Sequence, residues 1–247
     1  MAIAAWKRLE KTPGYQRKKL LLKRLIGKEP RLKAELTPHT VNDGGWCFHP
    51  DGLDDGSIVY SLGIGKDVAF DLALIRAYGL HIHAFDPTPS TASWLADHPQ
   101  PAEFHFHPWA VTAQDGTITL YPRVKSDGRK STEMYTIVAD DASLGDGIEV
   151  PAFTLDSIAA TLGHERIDLL KMDIEGAEYE VLDTLQESTV KPHQLLVEFH
   201  HRFRGIGPQK TVDTIAGLRG MGYRLFAISE TGRELSFLQV DCQENLS

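Results

Sequence analysis

Three ionisable residues, Asp173, Glu198 and His200, have the types and the spacing that proton transfer or metal binding requires. Asp173 directly follows the strand-like run 167–172, and the other two lie at the end of a second such run, which begins at residue 194. Alternate residues of a strand point to the same face, so Glu198 and His200 are expected to face a common space. A carboxylate or an imidazole can remove a hydroxyl proton, and the same groups can bind a divalent cation such as Mg²⁺. We favour proton removal by these three residues and leave a metal site formed by them open as the alternative.

A glycine-rich turn follows the first strand-like run of the chain, residues 58–62. Gly63 and Gly65 lack a Cβ, which lets backbone N–H groups and the positive end of the following helix approach a ligand closely. Asp86 comes 23 residues after Gly63, at the end of the next run, where a carboxylate can accept hydrogen bonds from ribose hydroxyls. Val68 occupies the third glycine position of the dinucleotide-binding motif and disfavours a pyrophosphate ligand. The turn therefore predicts a mononucleoside cofactor, although a tight structural connection would explain the two glycines taken alone.

Strands and helices alternate along the chain and would bring these residues to one edge of a sheet. Such alternation predicts an α/β fold with right-handed crossovers, a mostly parallel sheet and ligands beyond the carboxyl ends of its strands. Two hairpins are also predicted, one between 103–111 and 117–121 and an antiparallel one between 223–229 and 235–240. Core strands are expected at 58–62, 81–85, 103–111, 167–172 and 194–199, and helices at 68–78, 155–162, 177–185 and 210–221.

The first 35 residues are strongly basic, with eleven Lys or Arg and three Glu, while the whole chain has a net charge of -8. We divide the chain into a basic N-terminal helical arm, residues 1–40, and one folded domain, residues 41–247, in which 125–147 is a polar insertion. Leucines among the lysines predict an amphipathic arm helix, which either lies against the acidic domain or touches an anionic membrane or glycan surface. Few aromatic residues accompany the basic ones, so no nucleic-acid partner is expected. Oligomeric state does not follow from the sequence.

Composition argues against a membrane span and against a cysteine-based site. Mean hydropathy is -0.24, and no apolar run approaches the roughly 18 residues of a transmembrane helix. Cys47 and Cys242 lie far apart and match neither a disulfide framework nor a thiolate zinc site. The N-terminus lacks the long apolar stretch of a signal peptide. We therefore expect a cytoplasmic protein.

Four segments carry a resemblance to a known family: 60–67 (YSLGIGKD), 84–89 (AFDPTP), 170–178 (LKMDIEGAE) and 196–200 (LVEFH). In type and order they resemble the FkbM-type methyltransferases, over roughly residues 40–240. The resemblance implies a Rossmann-like, seven-stranded methyltransferase fold, with a mostly parallel sheet and an antiparallel C-terminal hairpin. It also implies that S-adenosyl-L-methionine is the cofactor and that an oxygen is methylated on a sugar, a glycan or another small hydroxylated metabolite.

The resemblance also assigns the residues that hold the cofactor. The glycine turn and the acidic residue of the next strand lie beside it, and the adenine ring rests at the end of the third strand. Many methyltransferases have an acidic residue two positions before the first glycine, where this chain has Ser61, so contact with the methionine end falls to Asp67 or to the backbone. The implied set is Ser61, Gly63, Gly65, Asp67, Asp86, Trp109 and Ala110.

Some residues near these motifs have a structural interpretation. Glu175 would stabilise the N-terminus of the helix at 177–185, and Glu178, inside that helix, is expected to be solvated or salt-bridged. The segment 37–56 is predicted to be an irregular connection because it is rich in glycine, proline and aspartate. Within it, residues 44–46 (GGW) also resemble the family sequence, and they are expected either to form a packed loop or to fold over the active site.

Two other functions are compatible with the same pattern. One is a nicotinamide-dependent oxidoreductase on the same fold, which Val68 disfavours. The other is a non-catalytic Rossmann-like domain that binds a ligand or docks through its basic arm. The acidic and histidine residues at the strand ends, Asp86, Asp173, Glu198 and His200, make the second alternative less attractive than an enzyme.

Overall fold

The computed structural model describes residues 12–124, 128–136, 147–203 and 205–240 of the chain. Parts of the predicted insertion, residues 125–127 and 137–146, lie outside these ranges, as does Cys242. In chain order the elements are α1 (Pro13–Leu25), β1 (Val41–Asp43), β2 (Trp46–Phe48), β3 (Ile58–Leu62), α2 (Ala69–Tyr78), β4 (His81–Phe85), α3 (Pro89–Asp97), β5 (Phe104–His107), β6 (Ala110–Val111), β7 (Gly116–Val124), β8 (Lys130–Thr136), β9 (Ile148–Phe153), α4 (Leu155–Leu162), β10 (Leu169–Met172), α5 (Glu178–Thr184), β11 (Gln194–Glu198), α6 (Gly207–Gly220), β12 (Tyr223–Ile228) and β13 (Glu234–Gln239).

Seven strands form the central sheet in the order β12-β13-β11-β10-β3-β4-β5. Strands β11, β10, β3, β4 and β5 run parallel, whereas β13 is antiparallel to β11 and β12 is antiparallel to β13. This confirms the predicted Rossmann-like, mostly parallel sheet with its antiparallel C-terminal hairpin. The chain order reverses between β3 and β10, which places a ligand crevice beyond the carboxyl ends of these two strands.

The central strands are buried on both faces. In β3, Val59 belongs to one apolar cluster and Tyr60 to the cluster on the opposite face, and Leu169 and Leu170 divide in the same way in β10. Strands covered by helices on both faces are nearly continuous apolar runs, which is why these two could be predicted. Their burial also fixes their register, because a slip of one residue would move every side chain to the other face.

The hairpin predicted between 103–111 and 117–121 is wrong. Strand β5 ends at His107, immediately before Pro108, which has no N–H to continue the ladder. After Pro108 the chain forms a second sheet, of order β6-β9-β7-β8, in which β7 is antiparallel to β9 and β8 while β6 is parallel to β9. Side chains of this second sheet line one side of the crevice.

The segment 37–56, predicted to be irregular, contains a short hairpin. Strands β1 and β2 pair antiparallel around Gly44 and Gly45, whose φ angles are 51° and 86°. A Cβ on Gly44 would lie 2.6 Å from the Cα of Phe70, so the turn packs directly on the start of α2. Strands of three residues show no usable periodicity, which explains why the pattern did not predict them.

The basic arm contacts the domain at a few buried points. Leu20 of α1 packs beside Gly232, and Glu29, which is 3% exposed, contacts His201 and Arg202. The domain boundary at residue 40 stays a prediction. Within the part of the chain that the structure describes, no helix combines the length and the apolar character needed to cross a bilayer.

Candidate active site

The glycine turn after β3 is held tightly in place. Gly63 and Gly65 have φ angles of 72° and 53°, in the left-handed region that favours glycine. A Cβ on Gly63 would lie 1.8 Å from the carbonyl oxygen of Asp173, so any side chain there would collide with the end of β10. The Gly63 N–H donates a hydrogen bond to the Phe85 carbonyl, at 2.8 Å. The turn therefore joins the carboxyl ends of β3, β4 and β10.

A cavity of about 300 Å³ lies beyond these strand ends, and we call it the cofactor cavity. Its walls come from the glycine turn, the end of β4, the second sheet and the segment after β10. Ser61 is not in the wall: it is fully buried beneath the turn, with its side chain beside the Asp71 carboxylate. The other members of the predicted cofactor set all line the cavity, namely Gly63, Gly65, Asp67, Asp86, Trp109 and Ala110.

Asp86 is 5% exposed and orders the mouth of the turn. Its Oδ1 accepts hydrogen bonds from the Thr88 N–H, at 2.9 Å, and from the Thr88 hydroxyl, at 2.6 Å. Its Oδ2 accepts one from the Gly65 N–H, at 2.8 Å. A carboxylate oxygen can accept two hydrogen bonds, so Oδ2 retains one position for a ligand hydroxyl.

The structure brings the three predicted catalytic residues together. His200 Nε2 lies 3.7 Å from Asp173 Oδ1 and 3.9 Å from Glu198 Oε1. Glu175 joins this group, with its Oε2 3.6 Å from the same nitrogen. Asp173 and Glu175 line the cofactor cavity, whereas His200 is 5% exposed and lies behind them.

Glu178 is fully buried and anchors the site from below, so the expectation of a solvated side chain is wrong, whereas the alternative of a salt bridge agrees with its ion pair to His200. Its carboxylate accepts hydrogen bonds from the Ile174 N–H, at 3.0 Å, and from the Gly176 N–H, at 3.0 Å. It also contacts His200 Nδ1, at 2.8 Å. This contact comes from a neighbouring strand, so the helical pattern around Glu178 could not indicate it.

The charges around His200 alter several pKa values. Burial opposes protonation of His200, but the hydrogen bond and charge of Glu178, with Glu175 and Asp173, leave its pKa raised. Burial raises the pKa of Asp173, and the positive charges of Lys171 and His200 act against that rise. Burial and the charge of Asp173 raise the pKa of Glu198 to about 7. The group therefore favours an imidazolium surrounded by carboxylates that hold protons more readily than usual.

Glu175 has a backbone conformation that its residue type rarely adopts. Its φ of 53° is the only positive value at a non-glycine among the described residues. Arg123 of β7 donates a hydrogen bond to Glu175 Oε2, at 2.8 Å, and the guanidinium lies over the ring of Phe203. The Thr136 hydroxyl of β8 donates to the Glu175 carbonyl, at 3.3 Å. The second sheet thus holds Glu175 in place, a role that the sequence did not indicate for Arg123.

The metal alternative fits the geometry less well than proton transfer does. One oxygen of Glu198 forms an ion pair with Arg233, with which a cation would compete. Among the described residues the ligand atoms that come within 4.8 Å of one another belong to Asp173, Glu178 and His200. The Glu178 oxygens already accept backbone N–H groups, which a cation would have to displace. The metal site predicted at Asp173, Glu198 and His200 stays a prediction.

The sequence of this chain matches one protein family and two curated relatives. The sequence model of the family described as "Methyltransferase FkbM domain" matches residues 55–225. The human probable methyltransferase-like protein 24 is 28% identical over 149 residues, which are 60% of this chain and 33% of that protein. Its rat counterpart is 27% identical over 150 residues, 60% of this chain and 34% of that protein. The chain thus spans about a third of the length of these relatives.

Two solved structures superpose on this chain at low similarity. The methyltransferase FkbM of Methylobacillus flagellatus KT superposes with a TM-score of 0.47 and 13% identity, over 75% of this chain and 44% of that one. Aeropyrum pernix fibrillarin, solved with natively bound S-adenosyl-L-methionine, gives a TM-score of 0.42 and 9% identity, over 87% of this chain and 86% of that one.

Proposed function

This chain belongs to the FkbM methyltransferase family, and from that premise we propose that it transfers a methyl group from S-adenosyl-L-methionine to a hydroxyl oxygen of a sugar, a glycan or a related small metabolite. The proposal that the acceptor is an oxygen rests on the position of the Asp173 carboxylate. This group lines the cofactor cavity, and His200 lies behind it. The family match gives no support to the oxidoreductase alternative.

The residues of the cofactor cavity fit a nucleoside cofactor. Asp86 Oδ2 has a free acceptor position for a ribose hydroxyl. A Cβ on Gly65 would meet no described atom within 4 Å, so the turn opens onto the cavity. Trp109 and Ala110 offer an apolar wall for the adenine ring. S-adenosyl-L-methionine, when bound, supplies an electrophilic methyl group on a sulfonium.

The carboxylates at the cavity edge supply the proton chemistry. Methyl transfer to a hydroxyl requires that its proton be removed as the new bond forms. We assign this step to Asp173, because its carboxylate reaches the cavity and the His200 imidazolium favours its ionised form. Glu178 orients His200 through Nδ1, and Glu198 and Glu175 complete the negative surroundings of Nε2.

Two measurements test the proposal. Calorimetric titration with S-adenosylhomocysteine should show binding to the wild type, and Asp86→Ala should weaken it by roughly tenfold or more, since a charge-assisted hydrogen bond is lost. Asp97→Ala, at an exposed end of α3, is the matched control and should bind normally. Transfer of a labelled methyl group to hydroxylated metabolites and glycans then identifies the acceptor. Absence of binding by the wild type would refute the cofactor assignment.

A further inference from the structure

A second, smaller cavity of about 100 Å³ lies beside the glycine turn, and we call it the Lys171 cavity. It shares Gly63, Ile64, Asp67 and Asp173 with the wall of the cofactor cavity, so the two cavities adjoin at the turn. The remainder of its wall comes from the β1–β2 hairpin, the start of α2 and strand β10, through Gly44, Trp46, Phe70 and Lys171.

Lys171 is a buried cation without a paired anion. It is 5% exposed, and its ammonium lies 5.3 Å from the centre of the Trp46 ring. No carboxylate of the described residues comes within ion-pair distance of it. A buried ammonium is costly unless an anion or hydrogen-bond acceptors surround it. The cavity in front of Lys171 is therefore suited to receive a negatively charged group.

Two acidic residues feel the charge of Lys171, namely Asp71 of α2 and Asp173 at the end of β10. Asp71 is fully buried. Burial raises the pKa of both carboxyl groups, and the charge of Lys171 acts against that rise. Neither carboxylate comes within the 4.0 Å of an ion pair with the Lys171 ammonium, so the ammonium remains open to a ligand anion.

We propose that Lys171 binds the carboxylate at the amino-acid end of the cofactor, in the Lys171 cavity beside Gly63. The assignment rests on the proposed function and deepens it. It gives the methionine end a contact that Ser61 cannot make, because Ser61 is buried beneath the turn. A carboxylate matches the size and charge of the site, since a lysine ammonium offers three donors to its oxygens.

The test compares two ligands that differ only in this carboxylate: S-adenosyl-L-methionine and its decarboxylated form. Calorimetry should show that the wild type prefers the carboxylated ligand. Lys171→Met keeps the length of the side chain and removes its charge, and it should weaken S-adenosyl-L-methionine binding by roughly tenfold to a hundredfold. The same variant should bind the decarboxylated ligand as the wild type does, which also shows that it is folded. Lys171→Arg should keep part of the preference.

Each outcome decides the proposal. Equal weakening of both ligands by Lys171→Met, or no weakening of either, would overturn it. If Lys171→Met does not fold, the affinities of the wild type for the two ligands test the proposal. Equal affinities would exclude a cation that binds the carboxylate. If neither ligand binds the wild type, the proposed function itself fails, which is a distinct result.

The outward face of α1 carries a second, independent inference. Leu20 packs on the domain, but Leu21, Leu22 and Leu25 are 58%, 59% and 71% exposed, and Ile26 follows them at 57%. Of the described residues, the only other large apolar side chain exposed to a comparable degree is Val212. A helix of a globular protein normally turns its leucines inward, and none of the described residues covers this face.

The charges beside these leucines indicate what covers them. Lys18 and Lys19 are exposed on the same helix, and the segment 1–35 is strongly basic. Leucines bordered by lysines on one helix face match the surface of an anionic bilayer, where the apolar side chains enter the boundary layer and the lysines meet lipid phosphates. We infer that α1 docks on anionic lipid.

Sedimentation with vesicles tests this docking. Vesicles of phosphatidylcholine with phosphatidylserine should pull down the wild type, and vesicles of phosphatidylcholine alone should pull down far less. Replacing Leu21, Leu22 and Leu25 with serine should lower binding roughly tenfold or more, since the buried apolar area is lost. Val212→Ser is the matched exposed control and should bind normally. A wild type that stays in the supernatant, or that forms a leucine-dependent dimer in solution, would exclude the lipid surface.

Discussion

At the residue scale, the proposed proton removal involves two residues, Asp173 at the cavity and His200 in the buried wall behind it. Asp173 reaches the cavity, while His200 supplies positive charge from behind and is itself held by Glu178. Burial raises the pKa of Asp173, and the positive charges of Lys171 and His200 act against that rise. The proposed base therefore depends on both neighbouring cations.

We predict that Asp173→Asn lowers kcat by roughly 10²- to 10⁴-fold, the usual contribution of general-base catalysis. Cofactor affinity should be unchanged, as measured by calorimetry. If turnover were retained, Asp173 would not be the base.

The pH profile should reveal the role of His200. Because burial raises the pKa of Asp173, the acidic limb of the wild-type kcat/KM profile should lie above the ordinary aspartate value. His200→Gln removes a positive charge that lowers the pKa of Asp173. The acidic limb of the kcat/KM profile should therefore move to higher pH, and the variant should remain active at pH values above that limb. Complete loss of activity at every pH, with cofactor binding intact, would instead identify His200 as the base.

The residues of the site could be predicted from the sequence to different extents. The glycine turn and Asp86 were found because strand, turn and spacing are local features. Glu178 and Arg123 were missed because their contacts, with His200 and Glu175, join elements that are far apart in the chain. Lys171 was hidden inside a strand, where only the covering hairpin shows that its charge is buried.

At the element scale, strands β4 and β5 present a stack of histidines along one face. His81 stacks on His105 with ring planes 4° apart, and His83 stacks on His107 with planes 12° apart. His164, after α4, lies edge-on to His83, with ring centres 4.5 Å apart. Each nitrogen contact within the stack requires at least one neutral ring, so the stack is stable only while most of its members are unprotonated.

This stack should make the fold sensitive to acid. Burial, with the neighbouring histidines, lowers the pKa of His83 to about 3 and that of His107 to about 4. The unfolded chain takes up protons at these rings below about pH 6.5, so stability is complete above that value and falls as pH drops towards 4. We predict a loss on the order of 2 kcal/mol in unfolding free energy between about pH 7 and pH 5.

Denaturant unfolding at several pH values measures this loss. His83→Phe keeps a ring in the stack but cannot be protonated, and it should reduce the pH dependence. His39→Gln, at an exposed position, is the control and should leave the dependence unchanged. An unaltered slope in His83→Phe would contradict the assignment to the stack.

The elements themselves were predictable where burial is continuous. Strands β3, β4, β10 and β11 follow from apolar runs, because helices cover both of their faces. The β1–β2 hairpin and the second sheet could not be predicted from the sequence, because their strands are very short or mix polar and apolar residues. Their pairing is decided by contacts with the central domain.

At the scale of the whole molecule, one buried carboxylate joins the basic arm to the domain. Glu29 accepts hydrogen bonds from Arg202 and contacts His201 Nε2 at 2.8 Å, with Lys23 Nζ 3.5 Å away. Burial alone would raise its pKa, but His201 and Arg202 lower it to about 2. The arm therefore contributes stability through an ionised glutamate.

We predict that Glu29→Gln lowers the unfolding free energy by about 2 kcal/mol at neutral pH, since a buried charge-assisted contact is lost. The difference from the wild type should be full above about pH 4.5 and should shrink as pH falls towards 2, because the wild-type carboxylate is then protonated too. Thermal melts across this range measure it. Glu187→Gln, at an exposed site, is the control. An equal loss of unfolding free energy in this variant would contradict the stabilising role of Glu29.

The position of Glu29 has a consequence for communication across the molecule. His201, its partner, directly follows His200, so the segment that leaves α1 contacts the residue next to His200 in the chain. Coupling between two binding events is reciprocal in free energy. If occupancy of the cofactor cavity strengthens engagement of α1 with a surface by some factor, that engagement must raise cofactor affinity by the same factor, and the enzyme would sense where it is as well as what it binds.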